Sequence, residues 1–271
     1  MSSLTPADPH DPLAARVGTL PNGLTVLLSP DHEEPRVFCR VVVRAGAAQE
    51  PRNQTGLAHY LEHMLANKGS QRLGTLDYPA EERGLSQIEE AVERLRQQED
   101  PRLRAPEIAA LFAAEQTVAG FVVRNELKQI HGRLGSRELN AFTSHDQTSF
   151  VVDVPAERLG AWARLDADRF LAPVFRGFVT EVQTVCEEKR RSLDDPDKEL
   201  FWGFMGALWG GHPYGETILG RSEHLERPSI AAMREFYRAH YTGPNMAVIL
   251  AGDLDPDAAF ALVAEEFGRL P

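Results

Sequence analysis

Thr55-Gly56-Leu57-Ala58-His59-Tyr60-Leu61-Glu62-His63-Met64-Leu65-Ala66 is the stretch from which the rest of this 271-residue chain is read. An apolar-rich run without proline predicts a helix, and Thr55 is expected to cap its start. With about 3.6 residues per turn, His59 and His63 stand one turn apart and project to the same side. Glu62 lies about 60° round the axis from His59.

Two imidazoles at this spacing can grip a divalent metal. Zinc takes nitrogen ligands at roughly 2.0–2.1 Å, and one helical turn sets two rings at a suitable separation. Glu62 is too close in sequence to be a third ligand on the same helix, but it is placed to take a proton from metal-bound water. His-x-x-Glu-His reverses the common zinc-protease order and is the inverzincin motif. The opposing reading is an exposed amphipathic helix that carries two histidines by accident.

Composition narrows the partners. Hydrophobic residues make up 42% of the chain, ample for one large domain or two small ones. The net charge of −11 argues against a nucleic-acid partner. Cys39 and Cys186 sit in apolar contexts and resemble neither a disulfide framework nor a cysteine zinc site. The N-terminus shows no signal-peptide pattern, and no apolar run is long enough for a membrane segment. The default compartment is therefore cytoplasmic, or periplasmic if a leader has been removed.

Outward from the motif, residues 1–15 are polar and proline-bearing and are expected to form a loose arm. Pro21-Asn22-Gly23 predicts a tight turn between Val17–Leu20 and Leu24–Leu28. Arg36–Arg44 reads as a strand. The charged stretch 78–125 predicts a helical hairpin with apolar stripes at Ile88, Val92, Leu95 and at Ile108, Leu111, Phe112. Pro101 and Pro106 are expected to break it, and Glu89, Glu90, Glu93, Arg94 and Arg96 to form solvated faces. Arg137–Pro155 looks like two strands around a polar turn. Helices are expected at Glu157–Phe170, Phe178–Leu193, Ser229–Tyr241 and Asp257–Phe267, with a buried strand at Asn245–Ala251.

A catalytic zinc needs three protein ligands and an open position. On residue type alone the third donor is open among Glu181, Glu187, Glu188, His131, His145, His212 and His240. Glu181 and Glu188 share one face of the expected helix, two turns apart.

The chain resembles the catalytic N-terminal half of the M16 metallopeptidases, the family of pitrilysin, insulin-degrading enzyme and mitochondrial processing peptidase. The likeness runs in order through Pro21-Asn22-Gly23-Leu24, His59–Met64, Leu139–Ser144, Glu181 to Arg190, His212–Gly215 and Ala251-Gly252-Asp253. It implies an α+β, LuxS/MPP-like metallohydrolase fold, an antiparallel-rich sheet covered by helices, as a single catalytic domain over 1–271. It implies one Zn²⁺ per chain, held by His59, His63 and Glu188, with Glu62 as general base. Glu181 would orient a histidine ligand, and Asn140 and Ala141 would pair with an extended peptide substrate. His212 and Tyr214 are read as structural.

The interval from His63 to Glu188 is longer than in the short forms of the family. The excess falls on a helical insertion at about 76–125, expected to sit on the surface. Family enzymes pair this half with a second, similar half, which is absent from this chain, so a partner half is expected. The implied activity is a zinc-dependent endopeptidase; the alternative is a non-catalytic peptide-binding or assembly subunit.

Overall fold

A computed structural model describes residues 4–8 and 10–271. Its strands are β1 (Thr5–Pro6), β2 (Arg16–Thr19), β3 (Thr25–Pro30), β4 (Arg36–Val43), β5 (Arg137–Thr143), β6 (Thr148–Pro155) and β7 (Met246–Gly252). Its helices are α1 (Leu57–Asn67), α2 (Tyr78–Gln97), α3 (Pro101–Val118), α4 (Glu126–Leu134), α5 (Leu159–Leu171), α6 (Phe178–Leu193), α7 (Pro196–Trp209), α8 (Ser222–Leu225), α9 (Ile230–His240) and α10 (Pro256–Phe267).

The strands form one sheet in the order β1-β2-β3-β7-β4-β6-β5, in which only β3 and β7 run parallel. Alternation along β4 shows why the sheet is two-faced. Val37, Cys39, Val41 and Val43 are buried, whereas Phe38 is exposed. This is the period-two pattern of a sheet packed on one side. The buried face meets α1, α5 and α10 through Leu61, Trp162, Phe170, Val263 and Phe267.

The expected arm is not loose where it is described. Thr5 and Pro6 pair with Val17 and Arg16, and the Ala7 N–H donates to the Ala15 carbonyl at 2.8 Å. A short edge strand satisfies backbone groups of β2 that would otherwise face water. Residues 1–3 and 9 of that arm lie outside the described residues.

Thr55 does not cap α1. Gly56 turns the chain at φ +87°, and the Glu50 carboxylate accepts from the Gly56 and Ala58 N–H groups at 2.8 and 2.7 Å. The Thr55 hydroxyl instead meets His224 Nδ1 and accepts from the Arg221 N–H, both at 2.8 Å. A carboxylate at a helix N-terminus also complements the helix dipole.

Pro101 starts α3, but Pro106 lies within it. Pro101 sits at the first helical position, where the missing N–H would have had no partner, whereas Pro106 gives up one i→i−4 bond in the second turn and the helix continues through it. The hairpin of α2 and α3 is also more than a solvated excursion. Glu81 and Arg176, both buried, pair at 2.7 Å, and Arg176 also binds the carbonyls of Lys68, Ser70 and Leu73. Glu89 pairs with Arg234 at 2.9 Å, and Glu93 accepts from the Ser229 hydroxyl at 2.7 Å at the start of α9. Glu90 and Arg94 remain exposed. Helices α4, α7 and α8 carry no expectation from the sequence. Every apolar residue on α7 is at best half-buried, so it lacks the stripe that marks a packed helix.

Candidate metal centre

α1 buries Leu57, Leu61, Met64 and Leu65 on the sheet side. His59 and His63 are thereby turned towards α6. The Tyr60 hydroxyl donates to the Phe178 carbonyl and ties the two helices at the start of α6. On α6, Val185 is fully buried, and Glu181 and Glu188 flank it on the face that meets α1.

Glu188 Oε2 lies 3.6 Å from His59 Nε2 and 3.4 Å from His63 Nε2. The three donor atoms lie within 4.8 Å of one another. These separations exceed an ordinary N–H···O hydrogen bond of about 2.7–3.2 Å. They match a tetrahedral zinc site, where donors about 2.0–2.2 Å from the ion stand roughly 3.3–3.6 Å apart. The residues therefore fit the metal that the sequence implies.

His63 Nδ1 lies 2.9 Å from Glu181 Oε1, which leaves Nε2 as the nitrogen facing Glu188. Lys68 pairs with the other oxygen of Glu181. Burial alone would raise the Glu181 carboxyl, but the hydrogen bonds from His63 and Lys68 outweigh it and hold it low. His59 is pulled down to about 4, by burial and then by the charge of His63, so it stays a neutral ligand-competent ring. Burial would also lower His63, yet the hydrogen bond and charge of Glu181, with Glu62 and Glu188, carry it above its ordinary value. The same acidic surroundings attract a divalent cation.

Glu62 is 6% exposed and does not join the donor cluster. The Thr143 hydroxyl donates to its Oε2 at 2.7 Å. Burial lifts its carboxyl above the usual range, and the Thr143 hydrogen bond opposes that lift. A carboxylate held beside the donors, and more basic than one in water, can accept a proton from a reacting water.

The centre opens into a cleft of about 480 Å³ that includes Asn140, Ala141, Phe142, Lys128 and Leu219. Asn140 and Ala141 lie on β5, the edge strand at one end of the sheet. The Asn140 side chain accepts from the Ala141 N–H at 2.9 Å.

The other candidates lie elsewhere. His131 packs against Asp166 and Ser136, His145 meets the Glu216 carbonyl, and His212 caps Tyr214. His240 packs on Phe236, and Glu187 pairs with Arg190 on the surface. Sequence reasoning did not single out Thr143 or Lys68 for the site. Thr143 belongs to the Leu139–Ser144 stretch that carried the resemblance. Lys68 follows the helix and carries no spacing signal.

Two family models match the chain: Insulinase (Peptidase family M16) over residues 25–96 and Peptidase M16 inactive domain over residues 229–271. An uncharacterized zinc protease of Mycobacterium tuberculosis is 29% identical over 270 residues, covering 99% of this chain and 50% of the relative. The mitochondrial-processing peptidase subunit beta of Blastocladiella emersonii is 22% identical, covering 94% of this chain and 44% of the relative. Among solved structures, a protease from Helicobacter pylori matches with a TM-score of 0.72 at 22% identity, over 94% of this chain and 50% of that one. Pitrilysin matches with a TM-score of 0.71 at 19% identity, over 100% of this chain and 24% of that one. These likenesses fix the fold. The chain spans about half the length of the curated relatives it matches first. Among the described residues no helix is long and apolar enough to cross a membrane.

Proposed function

We propose that the chain is the catalytic half of an M16-family, zinc-dependent endopeptidase acting on extended peptides or small proteins, a reading supported by the two matching family models and the zinc-protease relatives. The observation that carries this reading is the convergence of His59, His63 and Glu188 at separations too long for hydrogen bonds and right for a shared ion.

In this reading the three residues hold one Zn²⁺ per chain. Zinc, when bound, polarises a carbonyl as a Lewis acid and lowers the pKa of water towards about 7. Glu62 accepts a proton from the attacking water as the carbon–oxygen bond forms. It returns that proton to the amide nitrogen as the carbon–nitrogen bond breaks. Thr143 holds Glu62 in place. Glu181 fixes the ring of His63, and Lys68 holds Glu181.

Substrate enters as an extended strand on the free edge of β5, where backbone pairing at Asn140 and Ala141 lays it across the cleft. A second M16-type half, in a longer chain or a separate subunit, closes over it. The complete donor set speaks against a purely non-catalytic assembly role.

The test is Glu62→Gln, assayed with a quenched peptide, with and without chelator, alone and together with a second-half protein. The variant is expected to keep one zinc per chain and to lose hydrolysis. Cleavage at the parent rate would refute the general-base role. His63→Ala with full zinc content would refute the ligand set.

A further inference from the structure

A second cavity, of about 460 Å³, lies on the other side of α6 from the metal centre. Helical geometry makes the separation clean. Glu181 and Glu188 share one face of α6, and Val182 and Cys186 point into the cavity from the opposite side. Its apolar walls include Val92 and Leu95 of α2, Leu111 of α3 and Leu225 of α8. The volume falls in the range of small-molecule sites, roughly 300–1,000 Å³.

The charged part of the lining is lopsided. Arg96, Arg104, Arg190 and Arg227 are there, against Glu187 and Glu226. Arg190 pairs with Glu187, and Arg96 pairs with Glu93 at 3.8 Å. Arg104 donates to the carbonyls of Leu95, Gln98 and Glu226, which fixes its position without neutralising it. Among the described residues neither Arg104 nor Arg227 forms an ion pair with a carboxylate. A local excess of guanidinium over an apolar floor stands out on a chain whose net charge is −11. Such a surface complements a ligand with an anionic head and an apolar tail.

We propose that this cavity binds a small amphipathic carboxylate, with its tail between α2, α3 and α6 and its head at Arg104 and Arg227. The site shares no lining residue with the zinc cleft and does not depend on the zinc reading.

Cys186 provides a local reporter. It lines the cavity and is half-buried, whereas Cys39 is fully buried. The experiment measures the rate at which neutral iodoacetamide modifies Cys186, followed by mass spectrometry, in the presence of decanoate below its micelle concentration. Decanoate is expected to slow modification several-fold and saturably, and decanol much less. Arg227→Glu, a change at an exposed position, is expected to melt like the parent. It should raise the half-protecting decanoate concentration by about tenfold, as for loss of one charge-assisted hydrogen bond. No protection by decanoate, equal protection by decanol, or full protection in Arg227→Glu would overturn the proposal. None of these outcomes bears on zinc content or peptidase activity, so the two readings fail separately.

Discussion

Glu115 and Val179 are joined by a hydrogen bond of 2.8 Å in which the carboxylate of α3 accepts the backbone N–H at the start of α6. The same carboxylate accepts from the Thr180 N–H at 3.2 Å and from the Thr180 hydroxyl at 2.7 Å. α6 has no side-chain cap of its own; Gly177 precedes it in a left-handed turn. The hairpin of α2 and α3 therefore caps the helix that carries Glu181 and Glu188.

Glu115→Ala is expected to destabilise the fold by about 1–2 kcal/mol, the usual cost of losing a helix cap. Because Glu188 rides on the same helix, zinc affinity should fall as well. Urea unfolding and a competitive zinc titration measure the two effects. Parent-like values in both would show that α6 holds its position without the hairpin.

Glu181→Ala removes the acceptor that orients His63 and leaves Lys68 without its partner. Zinc affinity should drop about 10–100-fold, the range for loss of a carboxylate behind a histidine ligand. Glu181→Gln, which keeps an acceptor oxygen, should fall between this variant and the parent. Equal affinities for all three proteins would remove Glu181 from the site.

Arg176→Met leaves Glu81 buried without a counter-charge and frees the carbonyls of Lys68, Ser70 and Leu73. Breaking one side of a buried pair costs about 3–5 kcal/mol. The double variant Arg176→Met with Glu81→Leu should recover part of that loss, since no isolated charge remains. Chemical denaturation of both variants checks the order.

His131 is held below its ordinary value of 6.5 by burial, with the Arg169 charge adding to the effect and Asp166 opposing it. Below 6.5 the unfolded chain takes up a proton that the folded one declines, so stability is lost as pH falls through that value. Melting temperature should therefore drop between about pH 7 and pH 5, and more steeply in the parent than in His131→Gln. Parallel curves would show that His131 is not the group responsible.

The sequence was informative wherever the physics is local. The strand at Arg36–Arg44, the bounds Phe178–Leu193 and the turn at Pro21-Asn22-Gly23 all reappear in the fold. It failed where a partner lies far along the chain. Thr55 has the right type and place for a cap, yet Glu50 takes the N–H groups while His224 and Arg221 engage Thr55. Glu89 and Glu93 read as surface charge because their partners, Arg234 and Ser229, lie on a distant helix.

By itself the sequence determined the layout on α1: two imidazoles and a carboxylate at spacings that any α-helix brings to neighbouring positions on one side. Residue type and spacing left open which distant carboxylate meets them; the resemblance implied Glu188, and it is the packing of α1 against α6 that brings it beside both rings. Pairing β7 between β3 and β4 and capping α6 from α3 are contacts between residues far apart in the chain. Backbone periodicity reports the direction of a side chain within its own element, and no local pattern carries the position of the element it will meet.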